Sequence, residues 1–210
     1  MYVFNKMTTE LITIDPYQTI SEALDLMQEH HIHRIPVVED GKLIGLVTEG
    51  VVLKNTPSNA STLSIHEMNY LLSKTKIKDI MLKKVITIAP EALLEQAADT
   101  MEKNNIGCLP VVDAKNLIIG IITTNDILKA FVSLLGYHRL GTRLVLEFKE
   151  DMPGIMAELT AVFLKANINM THLTAHRNKK TEIVIRCDAT DHAHLMEILT
   201  SKGYQVISIL

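Results

Sequence analysis

Tryptophan is absent from this chain, and cysteine occurs only twice, as Cys108 and Cys187. Two cysteines with no CxxC spacing cannot build a disulfide framework, so the expected compartment is the cytoplasm. Long hydrophobic runs are also missing. None approaches the roughly 18 residues of a membrane span, and the opening MYVFNKMTTEL lacks the apolar core of a signal peptide. An excess of positive charge is missing too: 21 Lys and Arg stand against 24 Asp and Glu, for a formal charge of −3. No basic field is available to hold a nucleic-acid backbone. Nor is there a G-x-S-x-G, a P-loop, a dinucleotide glycine pattern or an HExxH. The expectation is therefore a non-enzyme with no metal, no cofactor, no membrane and no nucleic-acid partner.

What is present is an ordinary globular composition, 47% apolar and 21% charged, with ten methionines that give an aliphatic, adaptable core. There is also an internal repeat. Met7–Lys54 lies over Met81–Lys129 with one residue inserted in the second copy. Met7 falls on Met81, Ile12-Thr13-Ile14 on Ile86-Thr87-Ile88, Pro16 on Pro90, and Ala23 on Ala97. Asp25 falls on Asp99, Met27 on Met101, Ile32 on Ile106, and Pro36-Val37-Val38 on Pro110-Val111-Val112. After the insertion Gly45 meets Gly120 and Thr48 meets Thr123.

Each copy reads as β-α-β-β-α. A short strand (Ile12–Ile14, Ile86–Ile88) stops at a proline. A helix (Thr19–His30, Leu93–Asn104) follows with apolar residues at i, i+3 and i+4. Then come a strand at the Pro-Val-Val stretch, a turn at Asp40-Gly41 or 114–116, a third strand (Leu43–Val47, Leu117–Ile122) and a closing helix. One such unit buries too little surface to stand alone, so the two are expected to pair. The stretch 55–74 begins as a Pro/Ser/Asn-rich loop, and Ser64–Glu67 has the capping-box spacing that opens a short helix. The last 70 residues abandon the repeat. They read as strand Arg143–Phe148, turn 150–154, helix Ile155–Ala166, strand Met170–Ala175, polar turn His176–Lys180, strand Glu182–Cys187, helix Ala193–Lys202 stopped by Gly203, and strand Gln205–Leu210. That order is βαββαβ. The fold class is α+β, with residues 1–54 as the first repeat, 55–76 as a linker, 77–135 as the second repeat and 142–210 as a separate domain.

The chemistry gathers at strand ends. In the second copy a strand ends on Thr123 and a helix begins with Asp126 in its first turn. The first copy keeps Thr48 but has Val51 in place of the acid. Thr123 and Asp126 have a plain role as helix-capping residues. A carboxylate there can also accept two hydrogen bonds from a cis-diol, beside a helix N-terminus that favours phosphate. Upstream, HHIHRIPVV (30–38) sets His33 and Arg34 before a strand where the second copy has Gly107 and Cys108. A fixed guanidinium suits phosphate, and a cationic helix end is the plain alternative. The spacing of His30, His31 and His33 fits no standard zinc pattern. Both cysteines sit in apolar strands and read as small core hydrophobes.

The opening xIxI-x-P (Ile12–Pro16, Ile86–Pro90), the h-P-V-V strand and G-h-h-T-x-x-D at Gly120–Asp126 make the repeats resemble CBS domains, and the pair a Bateman module over about residues 1–135. Residues 142–210 resemble an ACT domain through Asp151-Met152-Pro153-Gly154, a D-x-P-G turn, and the βαββαβ order. The CBS–CBS–ACT order is similar to that of the acetoin-utilisation protein B family of Gram-positive bacteria. The resemblance implies an adenine nucleotide (AMP, ADP or ATP, less readily an S-adenosyl compound) between the repeats. Asp126 would take the ribose hydroxyls and Thr123 the phosphate or ribose. Ile86-Thr87 and Gly107-Cys108-Leu109-Pro110 would give backbone contacts to the base. His33-Arg34 would touch phosphate, as a similar H-R-h-P stretch does in the nucleotide-sensing CBS protein of the AMP-activated kinase. Repeat one would be vestigial or differently used. In the ACT-like part, Asp151, Met152, Pro153, Gly154 and Asn169 would form an amino-acid site, unless the turn is only a turn and the domain only dimerises.

The family implies regulation of a partner enzyme, here in acetoin catabolism, by a homodimer. Helix 127–135 and the apolar face of Thr19–Met27 are its candidate interfaces. Two other readings stay open: an amino-acid sensor with the CBS pair as scaffold, and a ligand-free regulatory subunit of an acetylation or deacetylation system.

Overall fold

The computed structural model describes residues 1–56, 64–148, 153–177 and 180–210. The chain divides into two compact units, Met1–Ile127 and Leu128–Leu210. In the first unit, helix α1 (Ile20–Glu29) starts at Thr19, whose hydroxyl accepts from Glu22 N–H while the Glu22 carboxylate accepts from Thr19. Its apolar stripe, Ile20, Ala23 and Met27, is buried with Ile14, Ile35, Val37, Val47, Val52 and Ile77. Strands β1 (Arg34–Glu39) and β2 (Lys42–Thr48) form an antiparallel hairpin, turned by Asp40 and Gly41, both at positive φ. Helix α2 (Glu49–Asn55) closes the repeat. Helix α3 (Ile65–Lys74) opens with the expected Ser64–Glu67 capping box, and the short α4 (Ile77–Ile80) leads into repeat two. There α5 (Leu94–Lys103), β3 (Cys108–Val112), β4 (Ile118–Thr123) and α6 (Thr124–Leu134) follow the same plan.

The structure differs from the sequence reading in three places. The opening strands of the repeats shrink to single bridges, Ile14 to Val37 and Ile88 to Val111, because Pro16 and Pro90 stop the ladder two residues on. The apolar face of Thr19–Met27 is not a free interface, since Ile20, Ala23 and Met27 already fill their own repeat's core. The third difference concerns the segments that lead into each repeat, which cross to the other one. Val3 and Phe4 donate to the carbonyls of Ala92 and Pro90, and Thr8 pairs with Ile121. In mirror fashion Ile77 and Lys78 donate to Gln18 and Pro16, and Leu82 pairs with Leu46. Gly45 and Gly120 make the crossing possible. A Cβ on Gly45 would lie 2.5 Å from Met81 Sδ, and one on Gly120 2.6 Å from Met7 Sδ.

In the second unit, strands β5 (Thr142–Phe148), β6 (Met170–Arg177), β7 (Thr181–Cys187) and β8 (Gln205–Ile209) form one sheet in the order β6-β7-β5-β8, antiparallel throughout. Helices α7 (Ile155–Lys165) and α8 (His192–Ser201) contribute Leu159, Phe163, Leu195 and Leu199 to a core with Leu144, Leu146, Ile183, Ile185 and Cys187. The βαββαβ order is thus present. Strand β6 runs two residues past its expected end, into what read as a polar turn. No helix among the described residues is long and apolar enough to cross a membrane.

Candidate functional site

Within the first unit, a cavity of about 600 Å³ lies between the repeats. Repeat one contributes His33 and Arg34 from the start of β1, and Leu46, Thr48, Glu49 and Gly50 from the β2–α2 junction. Repeat two contributes Leu82 and Lys84–Ile86 from its crossed leading segment, and Asn105–Cys108 before β3. The local folding explains each position. Thr48 caps α2 by accepting from Val51 N–H at 3.2 Å, so its hydroxyl faces the junction. Glu49 N–H donates to the His33 carbonyl at 3.0 Å, and the His33 ring meets Glu49 Oε2 at 2.9 Å. That contact is well exposed and holds little energy. Across the cleft, Thr124 N–H donates to the Gly107 carbonyl, the same bond one repeat later.

The half-buried Arg34 guanidinium lies against Gly107, where a Cβ would collide with Nη2. Among the described residues neither Arg34 nor Lys84 has an ion-pair partner, so two cations, one from each repeat, face the cavity against the single carboxylate of Glu49. Leu46, Leu82, Val85 and Ile86 supply apolar wall. Burial pushes the Cys108 thiol above its ordinary range, and nearby Arg34 offsets this only in part. Cys187 is raised by burial in the other core as well. Neither is poised as a nucleophile. Among the described residues no group of three His, Cys, Asp or Glu could hold a metal ion, the His30–His33 stretch included.

The ten residues expected at one nucleotide site do not share one cavity. His33, Arg34, Ile86, Gly107 and Cys108 line the one described. Thr87 is not among its lining residues, and Leu109 and Pro110 are buried in β3. Thr123 and Asp126 are also outside it. Asp126 Oδ2 accepts from Thr123 N–H at 2.9 Å and from its hydroxyl at 2.7 Å, a capping box that leaves Oδ1 without a partner among the described residues. The reason is the crossing of the leading segments. Residues 82–86 lie beside Thr48, and residues near Thr8 lie beside Ile121 and so near Thr123. The large cavity thus falls on the side that kept Thr48 and lost the acid. Glu49, Gly50 and Lys84 carry no sequence signal of a site, and Thr48 marked only a vestigial or differently used one. The internal repeat pointed to Thr48, but nothing in the sequence signalled the swap.

In the second unit Asp151 and Met152 lie outside the described residues. Pro153 is exposed, Gly154 is at φ 99° and a Cβ on it would meet no described residue within 4 Å, and the exposed Asn169 donates its N–H to Asp188 Oδ1 while its carbonyl accepts from Asp188 N–H.

A family model described as CBS domain matches residues 3–56 and 77–133. Three solved structures share the fold of this region. A Vibrio cholerae protein described as an acetoin utilization protein (AcuB) is 32% identical, with a TM-score of 0.55 over 66% of this chain and 95% of that one. The CBS domain pair of protein MJ0100, in complex with 5′-methylthioadenosine and S-adenosyl-L-methionine, is 29% identical with a TM-score of 0.53, covering 63% and 97%. CBSX2 of Arabidopsis thaliana, in complex with AMP, is 28% identical with a TM-score of 0.52, covering 63% and 96%. The chain spans well under half the length of several curated relatives it matches, 21% of one and 23% of another.

Proposed function

Because this chain belongs to the CBS-domain family, with the domain at residues 3–56 and again at 77–133, we propose that it is a regulatory protein whose cleft between the repeats binds an adenine nucleotide. The observation that carries this reading is the cavity of about 600 Å³, in which a cation from each repeat faces one carboxylate, that of Glu49. Arg34 and Lys84 bracket it from opposite repeats, which suits phosphate. Thr48 and the N-terminus of α2 add a hydroxyl and a positive dipole end. The apolar wall around Ile86 suits a base. Adenosyl ligands in MJ0100 and CBSX2 support the ligand class. The Asp126 Oδ1 in the opposite half of the cleft would serve a second nucleotide's ribose.

Ligand binding acts by favouring one packing of the two repeats over another, and only differential affinity can drive that change. Likeness to the Vibrio cholerae protein supports a role in control of acetoin use. The C-terminal sheet order, with both helices on one face, supports an ACT-like, ferredoxin-type domain that passes the signal on. Leu128 and Leu134, 60% and 54% exposed on α6, support a homodimer through that helix.

The test is calorimetry with AMP, ADP, ATP and S-adenosylmethionine on wild type, Arg34→Gln and Asp126→Ala. A hydrogen bond to a charged group contributes about 1.5–3 kcal/mol, so Arg34→Gln should weaken AMP by tenfold or more. If Asp126→Ala abolishes binding and Arg34→Gln does nothing, the nucleotide sits in the other half of the cleft. If no adenosyl compound binds wild type, the proposal fails.

A further inference from the structure

The second unit has a cavity of its own, on the sheet face away from α7 and α8, and it is cationic. Its volume is about 330 Å³, at the small end of ligand-binding pockets. Three neighbouring strands each place a nitrogen-bearing side chain on its floor. In the ladder Arg143 of β5 pairs directly with Arg186 of β7, and Arg186 pairs with His172 of β6. Among the described residues no carboxylate lines the cavity. Like charges directly opposite on adjacent strands are destabilising, so this row works against the stability of the free protein.

The side chains are held rather than splayed into solvent. Arg186 Nε donates to the Leu135 carbonyl at 3.0 Å, and its two terminal nitrogens have no partner among the described residues. The His172 ring lies against Gly136, where a Cβ would sit 2.5 Å from Nδ1, and that Nδ1 meets Thr171 Oγ1 at 3.2 Å. Gly136 is at φ 65°, a conformation that favours glycine in its own right. The backbone of Arg143 exchanges hydrogen bonds with Leu210, but its guanidinium has no hydrogen-bond or ion-pair partner among the described residues, and all three floor residues are half-buried. The remaining walls, with Phe131, Leu135, Tyr137 and Val184, are mostly apolar.

We propose that this cavity binds a small organic oxyanion, a carboxylate or phosphate monoester carrying an apolar body, with the Arg143 and Arg186 guanidiniums clamping the anion. A guanidinium fork matches either oxyanion bidentately. A neutral ligand would leave the two like charges uncompensated, and a bare inorganic ion would leave the apolar walls unused. The site is separate from the cleft between the repeats, and it is also not the Pro153-Gly154 turn.

The test is an NMR titration of the full chain with benzoate, phenyl phosphate and inorganic phosphate, following the His172 ring resonances. At least one organic probe should shift them saturably and bind more tightly than inorganic phosphate. The stronger of the two organic probes identifies the anion class. Arg143→Gln should weaken that probe tenfold or more. It should also keep or raise the Tm of the free protein, because the like-charge pair is relieved. Arg143→Lys, which keeps the charge and loses the fork, should fall between and guards against a folding artefact. Arg34→Gln should change nothing here, whereas it should weaken nucleotide in the other unit. Absence of a saturable shift with both organic probes overturns the proposal. So does unaltered binding by Arg143→Gln, or inorganic phosphate binding as tightly as phenyl phosphate.

Discussion

Thr-x-x-acid recurs in this chain as one device with separate uses. Thr19 with Glu22 and Ser64 with Glu67 are capping boxes, and so is Thr123 with Asp126. Thr48 with Val51 shows that the cap survives when the acid is gone. The capping role is therefore real at Thr123, and of the Asp126 oxygens only Oδ1 has no partner among the described residues. The Glu22 carboxyl is held below its ordinary value of 4.5, first by the Thr19 hydroxyl and then by the Thr19 N–H. A depressed folded-state pKa means that the contribution is fully present above the unfolded value and is lost as pH falls through the folded one. The Tm difference between wild type and Glu22→Gln should thus be constant above about pH 5.5 and close on acidification below 4.5. Thermal melts from neutral pH into acid check it, and a gap that does not narrow as the pH falls would contradict it. The spacing of these capping pairs was legible in the sequence because the bonds are local. Which of their oxygens stays free depends on rotamers and neighbours.

Among the elements, the helices and hairpins came out within a residue or two of their sequence reading, since periodicity and turn residues act over short range. The opening strands did not. A run of three β-branched residues before a proline has the look of a strand, yet only Ile14 and Ile88 find a bridge partner. The paired Met and Gly positions in the two repeats gain a reason from packing: Met7 sits on Gly120 and Met81 on Gly45. A Cβ at Gly120 would also come within 3.2 Å of the Thr8 carbonyl, which cannot swing away as a side chain can. Gly120→Ala should therefore destabilise by about 1–3 kcal/mol. Adding Met7→Ala should recover part of that loss, because the two positions are coupled. Urea melts of the single and double variants measure this, and strict additivity would refute the contact.

At the scale of the whole molecule, the crossing of the leading segments makes the two repeats a single cooperative object. Peptide 1–56 alone lacks the Thr75–Lys78 and Leu82 bonds that complete its own repeat. It should show no cooperative unfolding, whereas mixing it with peptide 64–134 should restore a transition. Circular dichroism decides, and cooperative folding of 1–56 by itself would refute the interdependence. The same crossing divides the expected nucleotide residues, setting Ile86, Gly107 and Cys108 with Arg34 and Thr48 rather than with Thr123 and Asp126. It likewise took an assembled sheet to set Arg143, Arg186 and His172 in one row under Phe131 and Tyr137, since their chain positions span more than forty residues. The sequence by itself determined the repeat, the element order, the capping pairs, the buried cysteines and the change of architecture after the second repeat, because all of these follow from local pattern and composition. Tertiary structure alone decided which repeat's leading segment lies against which strand, and therefore which side chains share a cavity. Those choices turn on pairing between distant segments, for which backbone hydrogen bonds are nearly interchangeable and only packing, such as methionine on glycine, selects the partner.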